Sequence, residues 1–343
     1  IHCSNLYFNK PQADLAEFLV EKIAGRPGKV FFSNSGAEAN DGLIKLARRY
    51  GTENPAEDGE SRYELLTFRK SFHGRTLGSM SATGQEKIHA GFDPLLPGFR
   101  YLPLNDLDAV REAVGDRTVA ILVEPVQGEG GVNAVSAEFL RGLRQLCDER
   151  DLLLMFDEIQ CGMGRLGTLN GWEAIAPDIE PDALSWAKGM GGGVPIGSFW
   201  VSARMGLCDL LGPGSHGSTY GGNPLAAAAS LAVVRTIVAE DLAENAARMG
   251  ALIREEVSSW GLSAISEVRG AGLLLGLGLQ AEGWDVPEGK TPALFLVSKL
   301  MEAGLLSVPA GPDTLRLLPP LNVTEDEVRE ALGILRQTLE ELK

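Results

Sequence analysis

A chain of 343 residues, 44% hydrophobic and with a formal net charge of −15, can bury one large core or two unequal ones. Its 31 basic residues against 46 acidic ones argue against nucleic acid as a partner, which a basic patch or stripe would serve. No apolar run reaches membrane-spanning length, so no membrane partner is expected. Cys3, Cys147, Cys161 and Cys208 are scattered without a C-x-x-C pair and read as reduced thiols of a cytoplasmic protein. His2, His73, His89 and His216 offer no metal-ligand spacing, so no metal is expected. The chain opens at Ile1 without Met, inside what reads as running sequence, and is expected to be a fragment or a trimmed chain.

Leu15, Phe18, Leu19 and Ile23 recur at helical spacing and predict a helix over 11–24, stopped by Gly25-Arg26-Pro27-Gly28. Val30-Phe31-Phe32 predicts a strand over 29–34 feeding Ser33-Asn34-Ser35-Gly36-Ala37. A helix with Leu43, Leu46, Ala47 and Tyr50 on one face follows at once. A strand, a turn of small residues and a helix start point free backbone amides at an anion. Taken alone, the same turn reads equally as a plain connection, and no Gly-Lys-Ser/Thr makes it a Walker loop. Strands are predicted over 63–68 and 119–123, each running into polar residues, and a helix over 136–150 with Ser136 as its N-cap.

Leu152 to Phe156 is a continuous apolar run that breaks into Asp157-Glu158-Ile159-Gln160. Ala183 to Ala187 is a second, ending in Lys188 and a glycine run. Short apolar runs bounded by turn residues read as strands buried on both faces. Strand and helix alternate through the first 200 residues or so, the pattern of a mostly parallel sheet. From Asn223 the pattern changes. Helices are predicted over 225–239, 242–257, 291–303 and 324–342, with strands near Leu305 and over 315–318. Gly270-Ala271-Gly272 has the look of a dinucleotide loop but is followed by more strand, so a glycine-rich strand is expected instead. The expected division is a large unit over 1–236 and a smaller α+β unit over 237–343.

The strand ends carry chemistry. A lysine that bonds an aldehyde and an acid that pairs a pyridine nitrogen are what pyridoxal phosphate asks of a protein, and Lys188 and Asp157 supply them. Either residue alone reads first as a charge on an ordinary loop. Gly36 and Ala37 amides would hold a phosphate, and Phe72 could lie on an aromatic ring or be ordinary core. Lys188 would also shuttle a proton, and Arg75 and Arg316 are candidates for carboxylate recognition. Arg316 lies inside an apolar strand, where an unpaired charge is costly, so a ligand or acid partner is expected.

Five motifs, in order, make the chain resemble the class III (ω-amino acid) aminotransferases. They are Asn34 to Asn40, Phe72-His73-Gly74-Arg75-Thr76, Glu124 to Gly131, Asp157 to Arg165, and His216 to Pro224. The resemblance runs from about His2 to the last helix. Ser4-Asn5-Leu6-Tyr7 and Phe72-His73-Gly74-Arg75 are similar to the branch acting on acetylornithine rather than on ornithine or 4-aminobutyrate. It implies a fold-type I α/β architecture, pyridoxal phosphate as cofactor, amino-acid and 2-oxoglutarate substrates, and a homodimer with shared active sites. It places Ser35, His73, Glu124, Glu158, Ile159 and Gln160 with the cofactor and Thr219 on the phosphate bound by the other subunit. It brings Ser218 near the substrate, Arg75 to the carboxylate of acetylornithine and Arg316 to that of glutamate. Glu129 would pair with Arg316 when a δ-amine is bound. For His73 a satisfied loop imidazole remains as good a reading, and for Glu129 a solvated acid. The family's N-terminal segment, which helps close the site, is expected to be missing here. Leu166 stands where the family commonly has Thr, a change expected to be structural only. Decarboxylases and aminomutases share the fold, and a non-catalytic scaffold is a further alternative.

Overall fold

The computed structural model describes residues 2–342. Seven strands form the main sheet, in the spatial order Gly28–Ser33, Gly197–Ser202, Ala183–Trp186, Leu153–Asp157, Thr118–Val123, Glu64–Phe68 and Phe99–Leu102. Gly197–Ser202 is antiparallel to both neighbours, and every other pairing is parallel.

Alternation along the central strands explains why both faces are covered. Ala120, Leu122, Leu153 and Met155 pack with Leu43, Leu46 and Ala47 of the helix Gly36–Glu53. Ile121, Val123, Leu154 and Phe156 turn the other way, into a core with Phe139, Leu140 and Leu143 of the helix Ala137–Arg150. Successive strand residues point to opposite faces, so one apolar run serves two cores. Each buried Leu or Phe contributes about 1.5–3 kcal/mol. The helices start at real caps: Ser35, Ser136, Asn223, Thr291 and Thr324 each accept a bond from the backbone N–H three residues on.

Four antiparallel strands make the second sheet, ordered Ile265–Ala271, Leu274–Leu279, Thr314–Leu317 and Val308–Pro309. The helices Leu242–Ser259, Pro292–Glu302 and Glu325–Glu341 share its core through Met249, Ile253, Leu296, Leu300, Leu332 and Leu335. The glycine-rich stretch is the hairpin between the first two strands, with Gly272 in the left-handed region at φ 50.

Some expectations shift. The first helix is α-helical over Lys10–Phe18 and widens to a π-helix over Leu19–Ala24. No strand forms at Leu305. Gly304 turns left-handed, and the Leu305 N–H bonds back to the Leu300 carbonyl, so these residues close the preceding helix. The strand comes later, at Val308–Pro309. Phe99–Leu102 and Gly197–Ser202 were not anticipated. Gly197–Ser202 is buried at every position, but Gly197, Ser198 and Ser202 cut its apolar run to Phe199-Trp200-Val201, too short to stand out as a buried strand.

Candidate active site

The carboxyl ends of Gly28–Ser33, Glu64–Phe68, Thr118–Val123, Leu153–Asp157 and Ala183–Trp186 converge on one cavity of about 440 Å3. Ligands bind at that end of open α/β sheets. Of the expected residues, the cavity brings together Ser35, Gly36, Ala37, Phe72, His73, Arg75, Glu124, Asp157, Ile159, Gln160 and Lys188. Because Gly197–Ser202 runs antiparallel, its start lies beside the ends of its neighbours. Val194, Pro195 and Ile196 therefore join the lining.

One side of the cavity is a cradle of free backbone N–H groups, the kind of helix start that suits an anion. Ser35 Oγ accepts from the Glu38 N–H at 3.2 Å, leaving the Gly36 and Ala37 N–H groups, at the first helical positions, without intrahelical partners. A Cβ on Gly36 would stand 2.8 Å from Ile159 Cδ1, so a larger residue there would have to push the Ile159 side chain aside.

Opposite it lies Asp157, 3% exposed. Its Oδ2 accepts from Asn40 Nδ2 at 2.7 Å and bonds His73 Nδ1 at 2.8 Å, while Oδ1 accepts from the Ile159 N–H. Burial pulls the His73 imidazole down, but the bond and charge of Asp157, helped by Glu124, raise it above its ordinary value. His73 Nε2 is buried without a partner among the described residues. Asn40 was not among the expected residues. The available signal was its place at i, i+3 and i+7 with Leu43 and Ala47, a polar side chain on a helix's buried face.

Lys188 opens a short 3-10 turn at φ 45, a left-handed conformation costly for a residue with a Cβ. Its side chain reaches the cavity. An amine, an acid, an anion cradle, the half-buried Phe72 ring and an unpartnered imidazole nitrogen suit a phosphorylated pyridine aldehyde, so the residues present fit pyridoxal phosphate.

Glu124 lies beneath this group and accepts from the Phe72 N–H at 3.0 Å. Burial, reinforced by Asp157, pushes its carboxyl up to about 8. A folded value above the unfolded one means that the folded state holds the proton more tightly. The associated stability is full below about pH 4.5 and is lost as pH rises through about 8. In cofactor-free protein the stability is therefore expected to fall across that window. Glu124→Gln should flatten the fall by up to about 1.4 kcal/mol per pH unit, read from denaturant unfolding at several pH values.

Arg316 and Glu129 meet beside the cavity, 2.7 Å apart, and Arg316 also donates to the Gly128 carbonyl and to Gln160 Oε1. Burial opposes ionisation of Glu129, yet the bond and charge of Arg316 hold its carboxyl below the ordinary value. Arg75 is exposed at the rim, its guanidinium 5.5 Å from the Phe72 ring centroid.

Three expected residues lie elsewhere. Glu158 follows Asp157 and points away from the cavity, so its carboxylate accepts from the Gly171 and Trp172 N–H groups at 2.6 and 2.9 Å. It braces a loop and does not line the cavity. Ser218 Oγ accepts from Asn34 Nδ2 and the Gly221 N–H. Thr219 is exposed and, like Ser218, does not line this chain's own cavity.

Residues 1–339 match the family model described as "Aminotransferase class-III". The acetylornithine aminotransferase of Caldanaerobacter subterraneus is 45% identical over 345 residues, covering 100% of this chain and 83% of that protein. Among solved structures, an ornithine aminotransferase from Toxoplasma gondii superposes with a TM-score of 0.89 at 32% identity, covering 99% of this chain and 79% of that one. The N-acetylornithine aminotransferase from Stenotrophomonas maltophilia gives 0.80 at 36% identity, covering 99% and 82%. With the family model matched along almost its whole length and its strand ends furnished as described, this chain belongs to the class-III aminotransferases.

Proposed function

We propose that the protein transfers the terminal amine of N-acetylornithine to 2-oxoglutarate, giving the semialdehyde and glutamate, as a step of arginine biosynthesis. Relatives that carry the name acetylornithine aminotransferase support the substrate. One observation favours a terminal amine over an α-amine as the donor, while the relatives' names carry the choice of acetylornithine. Arg316 is already neutralised by Glu129 at 2.7 Å, whereas Arg75 stands exposed at the cavity rim without an acid bonded to it among the described residues. That suits an amine whose carboxylate lies several bonds away, because the inner position then holds no free charge against an apolar chain.

Pyridoxal phosphate, when bound, supplies an aldehyde that takes over the amine and a ring that accepts the electron pair freed as the neighbouring C–H bond breaks. Gly36 and Ala37 N–H groups would hold its phosphate, Phe72 would pack on its ring and Asp157 would face the ring nitrogen. Lys188 Nζ would bond the aldehyde at rest. Displaced by substrate, it would take the proton from the carbon bearing the amine and deliver it across the nitrogen to the cofactor's former aldehyde carbon, so that the amine stays with the cofactor and water releases the semialdehyde. For glutamate, whose carboxylate adjoins the reacting carbon, Arg316 would leave Glu129 and bind that carboxylate.

Two copies of the chain would share their sites, Thr219 bonding the phosphate held by the partner and Ser218 approaching the substrate. Four free cysteines favour a reducing, cytoplasmic setting.

A panel of N-acetylornithine, ornithine and 4-aminobutyrate, each run against 2-oxoglutarate, tests the substrate. N-acetylornithine should lead in kcat/KM by at least about tenfold. Equal rates, or release of carbon dioxide without glutamate, would overturn the reading. Borohydride reduction of the loaded protein should add the cofactor's mass to the peptide containing Lys188. A label on another lysine removes that assignment.

A further inference from the structure

We propose that Asn40 is a positioning residue that fixes the spacing between the anion cradle and Asp157, so that a ligand held at its phosphate is also held at its ring nitrogen. The inference rests on the cofactor reading of the cavity.

Asn40 is 0% exposed and sits one turn into the helix whose first residues are Gly36 and Ala37. Its amide has no free N–H. Nδ2 donates to Asp157 Oδ2 and to the His73 carbonyl, each at 2.7 Å, and Oδ1 accepts from the Ser185 hydroxyl at 2.7 Å. Turning the amide over would set Oδ1 against two acceptors, so the orientation is locked. Ser185 pairs in register with Asp157 on the adjoining strand. The acid, the strand beside it and the helix that begins as the cradle are thus joined at one side chain. Among the described residues, Asn40 is the only member of that helix bonded to Asp157.

Two contacts on one ligand reinforce each other only while their separation matches the ligand. Loosening the spacing forfeits the advantage of the tether and leaves the phosphate contact itself intact. A residue that merely stabilised the fold would weaken every ligand alike.

The full chain, stripped of cofactor, is titrated with three probes: pyridoxal phosphate, pyridoxal and inorganic phosphate. Tryptophan fluorescence reports binding, and thermal unfolding checks the fold. In Asn40→Ala the ratio of pyridoxal phosphate affinity to pyridoxal affinity should fall at least tenfold, as judged against a linked two-site ligand. Inorganic phosphate should bind within about twofold of the parent, since the cradle is unchanged. A proportional loss for pyridoxal phosphate and pyridoxal, or an unchanged ratio, overturns the role. Ser185→Ala, which frees only the Asn40 carbonyl, carries the same test if Asn40→Ala does not fold. There the ratio should fall about threefold, and no change overturns the proposal. Failure of the parent chain to bind pyridoxal phosphate would instead overturn the cofactor reading.

Discussion

Lys188→Ala should lower turnover on the order of 10,000-fold, because on the proposed reading one side chain both bonds the cofactor's aldehyde and moves the proton. The variant should still bind the cofactor, since the cradle, Phe72 and Asp157 are untouched. Paired with Thr219→Val, the same variant tests the shared site. If Thr219 serves the opposite subunit, a mixed dimer carries both lesions in one site and neither in the other. Subunit exchange between the two inactive proteins should then restore part of the activity. Confirmed exchange with no recovery would mean that each chain completes its own site.

Arg316→Ala should weaken the glutamate half-reaction by about 2–5 kcal/mol, the cost of losing a desolvated charge partner for the substrate carboxylate. The N-acetylornithine half-reaction should lose much less, because Arg316 is then held by Glu129 and touches no substrate charge. Glu129→Gln should act in the opposite sense. It leaves Arg316 without its anion, which favours glutamate and lowers the preference for the distant amine. Arg75→Ala should harm N-acetylornithine more than glutamate. Single-turnover absorbance of each half-reaction separates these effects. Equal losses in both halves for Arg316→Ala and Glu129→Gln would show that the pair does not switch.

Asp157 and Lys188 were legible because unbroken apolar runs deliver them to strand ends, where geometry leaves little choice of position. The cradle was legible from a cap residue followed by glycine at a helix start. Arg316 and Glu129 lie 187 residues apart, and no local pattern states that they meet; only the family resemblance anticipated it. Glu158 was misplaced because it adjoins Asp157 in sequence, while successive residues leaving a strand face opposite ways. Asn40 was passed over because one polar residue in a helix looks ordinary until its buried face is known. The antiparallel Gly197–Ser202 was missed for a different reason: Gly197, Ser198 and Ser202 shorten its apolar run to three residues.

That antiparallel strand also sets a timetable for assembly. Gly28–Ser33, the earliest in the chain of the described strands, lies at the sheet's edge, and among the described residues its sole neighbour is Gly197–Ser202. At ribosomal rates of about 5–20 residues per second, it emerges roughly ten to thirty seconds before its partner. For that interval Val30, Phe31 and Phe32 form an unpaired apolar strand, the kind of segment that invites capture by another chain or a chaperone. The helix start at Gly36, where this strand ends, therefore emerges earlier than the other described strand ends of the cavity and waits on Gly197–Ser202 to be fixed in place.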